Sequence, residues 1–222
     1  MNKVLFQVTS DCQNSKDQIK ELTRKTLKYC MFILTPLQMG IAASAGSWVP
    51  LILTEKWLPC VPHLQILCVT YLLNPLVEAH TRNIKALGLG DLLLKIMTVR
   101  YSIGILIVIL SVVLFDNPLI LTASALITKL FAVFFCGYVD KKEIGYRFSE
   151  QLADTVYTLL AGITMALFVS LIGKLIASPL CCLSFQIFGG IIAYILISAL
   201  INKELVITVA KKIKGAINRF LR

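Results

Sequence analysis

The chain has 222 residues, of which 57% are hydrophobic and only 15% are charged. Soluble domains carry about 25% charged residues, so this composition excludes an ordinary soluble globule and predicts a membrane protein. The 22 Lys and Arg residues outnumber the 12 Asp and Glu residues, for a formal net charge of +10. In a membrane protein such an excess indicates orientation rather than nucleic-acid binding.

Six apolar runs are long enough to cross a bilayer, which takes about 20 residues. The sequence therefore predicts an all-α, polytopic membrane protein with about six transmembrane helices. The predicted spans are 29–53, 61–81, 96–115, 118–138, 155–175 and 182–201.

Three segments follow from these spans: a cytoplasmic amphipathic lead-in over 1–28, a transmembrane domain over 29–201 and a basic tail over 202–222. Apolar residues of the tail recur at helical spacing, with most of its lysines elsewhere. We expect such a helix to lie along the anionic inner surface of a membrane.

Basic residues also predict the orientation. With both termini in the cytoplasm, all but three of the 22 Lys and Arg residues fall on the inner side or at its boundary. Lys56 and Lys174 fall outside, and Lys129 lies within a span. Trp48 and Trp57 fall at the outer boundary, where indole rings are favoured. Both patterns predict cytoplasmic termini.

The first span contains a run of small residues, "GIAASAGS", at 40–47. Gly40 with Ser44, and Ala42 with Gly46, have the four-residue spacing that lets two membrane helices approach closely. We interpret this run as a helix-packing face.

The second span carries a polar stripe. Asn74, Glu78, Arg82 and Lys85 recur at spacings that place them on one helical face, and Pro75 interrupts the helix. A polar stripe beside a broken helix is typical of a water-filled cavity between helices. The alternative interpretation is a Glu78–Arg82 pair that marks the end of the span.

Enzyme chemistry has little support. His63 and His80 lie at opposite ends of one predicted span, so they cannot share a metal ion, and we predict neither a metal nor another cofactor. The "GLGD" run at 88–91 has Leu93 where a dinucleotide-binding motif needs a third glycine. Its glycines instead predict a helix break, with Asp91 capping the next helix. No acidic motif of a membrane-embedded glycosyl or prenyl transferase is present.

Three stretches resemble the oligosaccharide flippases and polysaccharide exporters of the multidrug/oligosaccharidyl-lipid/polysaccharide superfamily. They are "TEKWLPCVPHLQILC" at 54–68, "NIKALGLGDLLLK" at 83–95 and "IGYRFSEQLADT" at 144–155. The resemblance extends from about residue 15 to 180. Of the family's "N.N" preceding "LKALG", only Asn83 matches, because Thr81 and Arg82 follow His80 here.

This resemblance implies a function. Such proteins move undecaprenyl-diphosphate-linked oligosaccharides across the bacterial inner membrane, with two helical lobes around a central cavity. The chain resembles the last six helices of such a two-lobed flippase, so the first lobe would have to come from elsewhere. The lipid bilayer, a lipid-linked oligosaccharide and that missing lobe, or other polysaccharide-assembly membrane proteins, are the expected partners. The alternative is a non-transporting assembly partner or remnant of such a transporter.

Lys129 completes the predicted site. It lies about 15 Å into its span by helical rise, and a charge at mid-bilayer costs at least about 2.5 kcal/mol without water or a partner. Our hypothesis is that Lys129 and Arg82 face one inward-opening cavity and attract the diphosphate, while Glu78 orients Arg82 and Asn74 lines the wall. Alternatively, Lys129 pairs with an acid or with helix carbonyls, or fills a gap against the missing lobe.

Overall fold

The computed structural model describes residues 16–115, 117–176, 179–201, 203 and 206–209. Within this part of the chain the structure is helical and contains no strand, which confirms the all-α prediction. A short 3-10 helix, Glu55–Cys60, follows the first of the seven α-helices in the described part of the chain. These are α1 (Lys16–Leu53), α2 (Val61–Leu72), α3 (Asn74–Ala86), α4 (Gly90–Leu114), α5 (Pro118–Glu143), α6 (Phe148–Leu175) and α7 (Pro179–Ile201).

Six segments of the described chain are long and apolar enough to cross a membrane, as predicted. Helices α2 and α3 together supply one of them, because only Leu73 separates the two. The predicted interruption is therefore present, and it follows from Pro75, which has no N–H to donate and is tolerated in the first turn of α3. The chain is a multi-pass membrane protein.

Two helices begin earlier than the apolar pattern indicates. Helix α1 begins at Lys16, so the described part of the predicted lead-in is continuous with the first span. Helix α6 begins at Phe148 rather than near 155. The polar first turns of both helices are therefore structured, for reasons given below. The tail predicted over 202–222 lies outside the described residues, apart from 203 and 206–209.

The break between α3 and α4 is only partly as predicted. Gly88 adopts a φ of +72°, a left-handed conformation that suits glycine after a helix. Leu89 is the N-cap of α4, and no side chain caps that helix, so the prediction that Asp91 is the cap is wrong. Asp91 lies in the first turn instead, where a negative charge favours the helix dipole.

Among the described residues, one compact unit consists of 16–30 and Cys60–Asp154. Helix α5 contacts α2, α3 and α4 within it. Its apolar core joins Ile84 of α3 to Leu93 and Ile96 of α4. We call this part the first unit.

The second unit consists of Met31–Pro59 and the described residues of 155–209. Its core lies on one face of α6, where Ala161, Met165 and Val169 recur every four residues and pack with Tyr194 of α7. The Tyr194 hydroxyl donates a hydrogen bond of 2.9 Å to the Phe32 carbonyl oxygen, so the buried phenol is satisfied.

Candidate functional site

Two residues of the polar stripe of α3 line a small cavity of about 50 Å³ in the first unit. Glu78 and Arg82 both line it, and Arg82 Nη2 lies 3.9 Å from Glu78 Oε2. The Glu78 side chain is 61% exposed and that of Arg82 28%. A pair at this distance and exposure is weak. The role of Glu78 in orienting Arg82 stays a prediction.

Asn74 and Lys85 take different positions from the two residues at the cavity. Asn74 opens α3 and is half-buried, but its neighbour Pro75 is the residue of that turn that lines the cavity. Lys85 is exposed. The structure thus brings Glu78 and Arg82 together, and the role of Asn74 stays a prediction.

Helix α1 supplies the opposite wall of the same cavity. Thr23 and Asn83 both line it, and both are buried. The Thr23 hydroxyl lies 2.8 Å from Asn83 Oδ1 and 2.7 Å from the Ile19 carbonyl oxygen. This contact ties α1 to α3 next to Arg82. Asn83 matches a family motif, but its partner Thr23 lies 60 residues away, so no local pattern indicated this contact.

Lys129 lies in a second and larger cavity of the first unit, of about 490 Å³. Helices α2, α4 and α5 line it, and we call it the groove. Among the described residues that line it, only Lys129 and Arg100 are charged. The rest of that wall is mainly apolar, with Thr70, Tyr71, Tyr101 and Thr128. Arg100 was counted with the cytoplasmic connection for the orientation, although it also falls within the predicted span 96–115; it lies within α4.

Lys129 interacts electrostatically with two charged groups, Arg100, which repels it, and Glu78, which attracts it. The predicted common space for Lys129 and Arg82 stays a prediction, because each residue lines its own cavity here.

An ion-pair network that sequence analysis missed joins the start of α1 to the start of α6. Asp154 is its centre, with a side chain only 5% exposed. Arg24 donates to both carboxylate oxygens, through Nε at 2.7 Å and Nη2 at 2.8 Å. Lys28 Nζ lies 3.0 Å from Asp154 Oδ1, and the Tyr146 hydroxyl donates to Oδ2 at 3.0 Å. Two cations and a phenol thus satisfy one buried carboxylate.

Lys20 extends this network to the loop before α6. Its Nζ lies 2.9 Å from Glu150 Oε2 and donates to the Gly145 carbonyl oxygen at 3.1 Å. Glu150 in turn accepts from the Arg147 backbone N–H at 3.2 Å, as in a capping box. Burial, together with the Asp154 charge, raises the pKa of the Tyr146 phenol, which keeps it a hydrogen-bond donor.

A sequence signal for this network does exist. Lys20, Arg24 and Lys28 recur every four residues, as do Glu150 and Asp154, so each set lies on one helical face. The paired charges explain why both helices extend beyond their apolar runs. Nothing in one sequence says that faces 130 residues apart belong together.

The predicted packing face of the first span lies in the second unit. Gly40 lies beside Met165, and the Ser44 hydroxyl donates to the Gly40 carbonyl oxygen at 2.7 Å. Gly46 is exposed, with no atom near enough to meet an added Cβ, and Ala42 is half-buried. The role of these four residues in packing stays a prediction.

Among the described glycines of the second unit, two outside that run leave the least room for a side chain. A Cβ added at Gly162 would clash with the Thr35 methyl group, and one at Gly173 would lie 2.7 Å from Gln186 Nε2. Close approach in this unit therefore depends on α6, whose glycines sequence analysis did not single out.

Comparison with known proteins supports the resemblance over part of the chain. Residues 1–62 match the family model described as polysaccharide biosynthesis protein. An uncharacterized membrane protein in the cps region of Klebsiella pneumoniae is 35% identical over 69 residues, which are 31% of this chain and 14% of the relative. The lipopolysaccharide biosynthesis protein WzxC of Escherichia coli strain K12 is 31% identical over 74 residues, 33% of this chain and 15% of the relative. No solved structure matches the chain significantly.

The chain is thus a multi-pass membrane protein, and its resemblance to polysaccharide biosynthesis proteins is confirmed. The matched segments span about one seventh of the length of each relative, less than the stretch from 15 to 180 that the motifs indicated.

Proposed function

We propose that the protein takes part in moving an undecaprenyl-diphosphate-linked oligosaccharide across the bacterial inner membrane, as a transporter rather than an enzyme. The observation that carries this proposal is the group of ionisable residues within membrane-spanning helices. Glu78, Arg82 and Lys129 lie in such helices and line cavities. Charges within a membrane are costly, and they commonly mark the path of a polar or ionic substrate.

The cargo explains the sign of these charges. A diphosphate is strongly anionic, and the group contains two cations, Arg82 and Lys129, for one acid, Glu78. In this proposal the two cations attract the diphosphate, Glu78 orients Arg82, and Asn74 lines the wall. The relation to a lipopolysaccharide biosynthesis protein supports the class of cargo.

Gene deletion and complementation in the source organism test the proposal. We expect deletion to lower surface polysaccharide and to accumulate the lipid-linked oligosaccharide in the inner leaflet. The wild-type chain should restore export, whereas Arg82→Gln and Lys129→Gln should lower it several-fold at an unchanged amount in the membrane. Lys95→Gln is the matched control, because Lys95 is exposed and lines neither cavity.

Two outcomes contradict the proposal. Normal export after deletion would show that the protein does not take part in export. Full restoration by both glutamine variants would instead support a non-transporting assembly partner.

We further propose that the chain does not transport by itself. Alternating access requires two helical bundles that move about a shared site. The chain expressed alone in a flippase-deficient strain should therefore fail to restore surface polysaccharide, and full restoration would contradict this.

We also propose that both termini are cytoplasmic. Cysteines introduced at Glu55 and Asn117, in a variant without native cysteines, should react with an impermeant thiol reagent added to intact cells. A cysteine at Lys142 should react only after lysis. Labelling of the Lys142 position in intact cells would show that the orientation is the opposite one.

A further inference from the structure

The groove presents two positive charges that the described residues do not neutralise. Arg100 and Lys129 both line it, and neither forms an ion pair with a described residue. The Arg100 guanidinium instead lies 4.7 Å from the centre of the Tyr101 ring. Glu78 attracts Lys129 but also pairs with Arg82. Two mutually repelling cations within membrane-spanning helices call for an anion.

The wall of the groove is suited to a hydrocarbon chain. Ile105, Val108 and Ile109 of α4 line one side, and they are 61%, 40% and 53% exposed. Exposed apolar side chains on a membrane-spanning helix are suited to contact with hydrocarbon chains. The volume of about 490 Å³ is within the range of ligand sites, about 300–1,000 Å³.

The same wall is poorly suited to a sugar. Beyond the two cations, its polar side chains are Thr70, Tyr71, Tyr101 and Thr128. The Thr70 and Thr128 hydroxyls already donate to the Ile66 and Ser124 carbonyl oxygens. An oligosaccharide needs many hydrogen-bond partners, whereas a phosphate with acyl chains needs a cationic end and an apolar wall.

We propose that the groove holds an anionic phospholipid of the surrounding bilayer. Its phosphate is drawn below the level of the other headgroups to lie between Arg100 and Lys129, and one acyl chain follows Ile105 and Ile109 along α4. The bound lipid neutralises the two cations when no cargo is present, and it competes with cargo for Lys129 but not for Arg82. The lipid assignment itself requires only the two cations and the apolar wall, and only the competition with cargo rests on the proposed function.

Native mass spectrometry of the full chain tests this proposal, using phosphatidylglycerol and phosphatidylcholine as probes. We expect the wild-type chain to retain at least fivefold more phosphatidylglycerol than phosphatidylcholine. The double variant Arg100→Gln/Lys129→Gln should lose that preference. Lys95→Gln removes an exposed charge from α4, the helix of Arg100, and should keep it.

Two further variants locate the site. Ala125→Leu fills the groove without changing its charge and should lower retention of phosphatidylglycerol several-fold. This variant tests the proposal even if the double variant does not fold. Arg82→Gln should leave retention unchanged. Equal retention of both lipids by the wild-type chain would overturn the proposal. If Arg82→Gln lost the preference for phosphatidylglycerol, or if Ala125→Leu kept it, the lipid would not lie in the groove.

Discussion

The two units of this membrane protein use different means to hold their helices together. In the first unit, ionic and polar groups join helices that are far apart in sequence, as Arg24 and Asp154 do. In the second unit, close packing dominates, with Gly162 against Thr35 and an apolar face on α6. The two cavities described above belong to the first unit, as do the charged residues that line them, Glu78 and Arg82 in one and Arg100 and Lys129 in the other.

This difference indicates a division of roles. Charged groups in a membrane cost free energy, so the charged residues at the cavities of the first unit point to a binding site there. Small residues that permit close contact provide stability without polar groups. We therefore expect substitutions in the second unit to act on folding, and substitutions at the cavities of the first unit to act mainly on function.

Asp154→Asn should have the largest effect on stability. It removes the charge that binds Arg24 and Lys28 and weakens the contact with Tyr146. We expect a loss of about 2–3 kcal/mol in the free energy of unfolding, since both cations are more than a third exposed and can recover some hydration. Unfolding in detergent measures it, with Asp91→Asn at an exposed aspartate as the control. Equal stability of the two variants would show that the network is not structural.

Gly162→Ala should come next. The added methyl group meets the methyl group of Thr35, a β-branched side chain with little freedom to move, in a well-packed core. We expect a loss of about 1–3 kcal/mol. Gly46→Ala is the matched control on α1, because no atom lies near its added Cβ, and it should be neutral or stabilising by up to about 1 kcal/mol.

The same pair of variants examines the predicted packing face. A large loss of stability in Gly46→Ala would mean that Ala42 and Gly46 pack against a partner outside the described residues of this chain. A neutral Gly162→Ala would contradict the close-packing account of the second unit.

Glu78→Gln should have the smallest effect on stability. Its pair with Arg82 is 3.9 Å long and largely exposed, so we expect a change of at most about 0.5 kcal/mol. Glu21→Gln removes the exposed Glu21–Lys25 pair of the same four-residue spacing and provides the comparison. A loss above 2 kcal/mol at Glu78 would assign that residue to structure rather than to the cavity.

Much of the fold could be predicted because a bilayer imposes a simple rule. About 20 apolar residues make a span, and six such runs are visible in the sequence. The early starts of α1 and α6 were missed because Lys20, Arg24 and Lys28 resemble a solvated face when read alone. Their partners, Glu150 and Asp154, lie about 130 residues away, and no local pattern connects them.

The candidate site was predictable to a similar extent. Glu78 and Arg82 share a helix face, so spacing alone brought them together. Arg100 was missed because it lies at the start of a long apolar run and was counted with the preceding connection. Only the packing of α4 against α5 places it in the groove with Lys129.

Photo-crosslinking in cells that make surface polysaccharide tests the central claim most directly, namely that the first unit contacts lipid-linked oligosaccharide. A photoreactive residue at Ala79, which lines the cavity with Arg82, should yield an adduct that contains both the saccharide and its lipid carrier. The same residue at Leu94, which is 70% exposed on α4, should not. Saccharide adducts at Leu94 alone, or at neither position while the cells accumulate the lipid-linked oligosaccharide, would contradict the account.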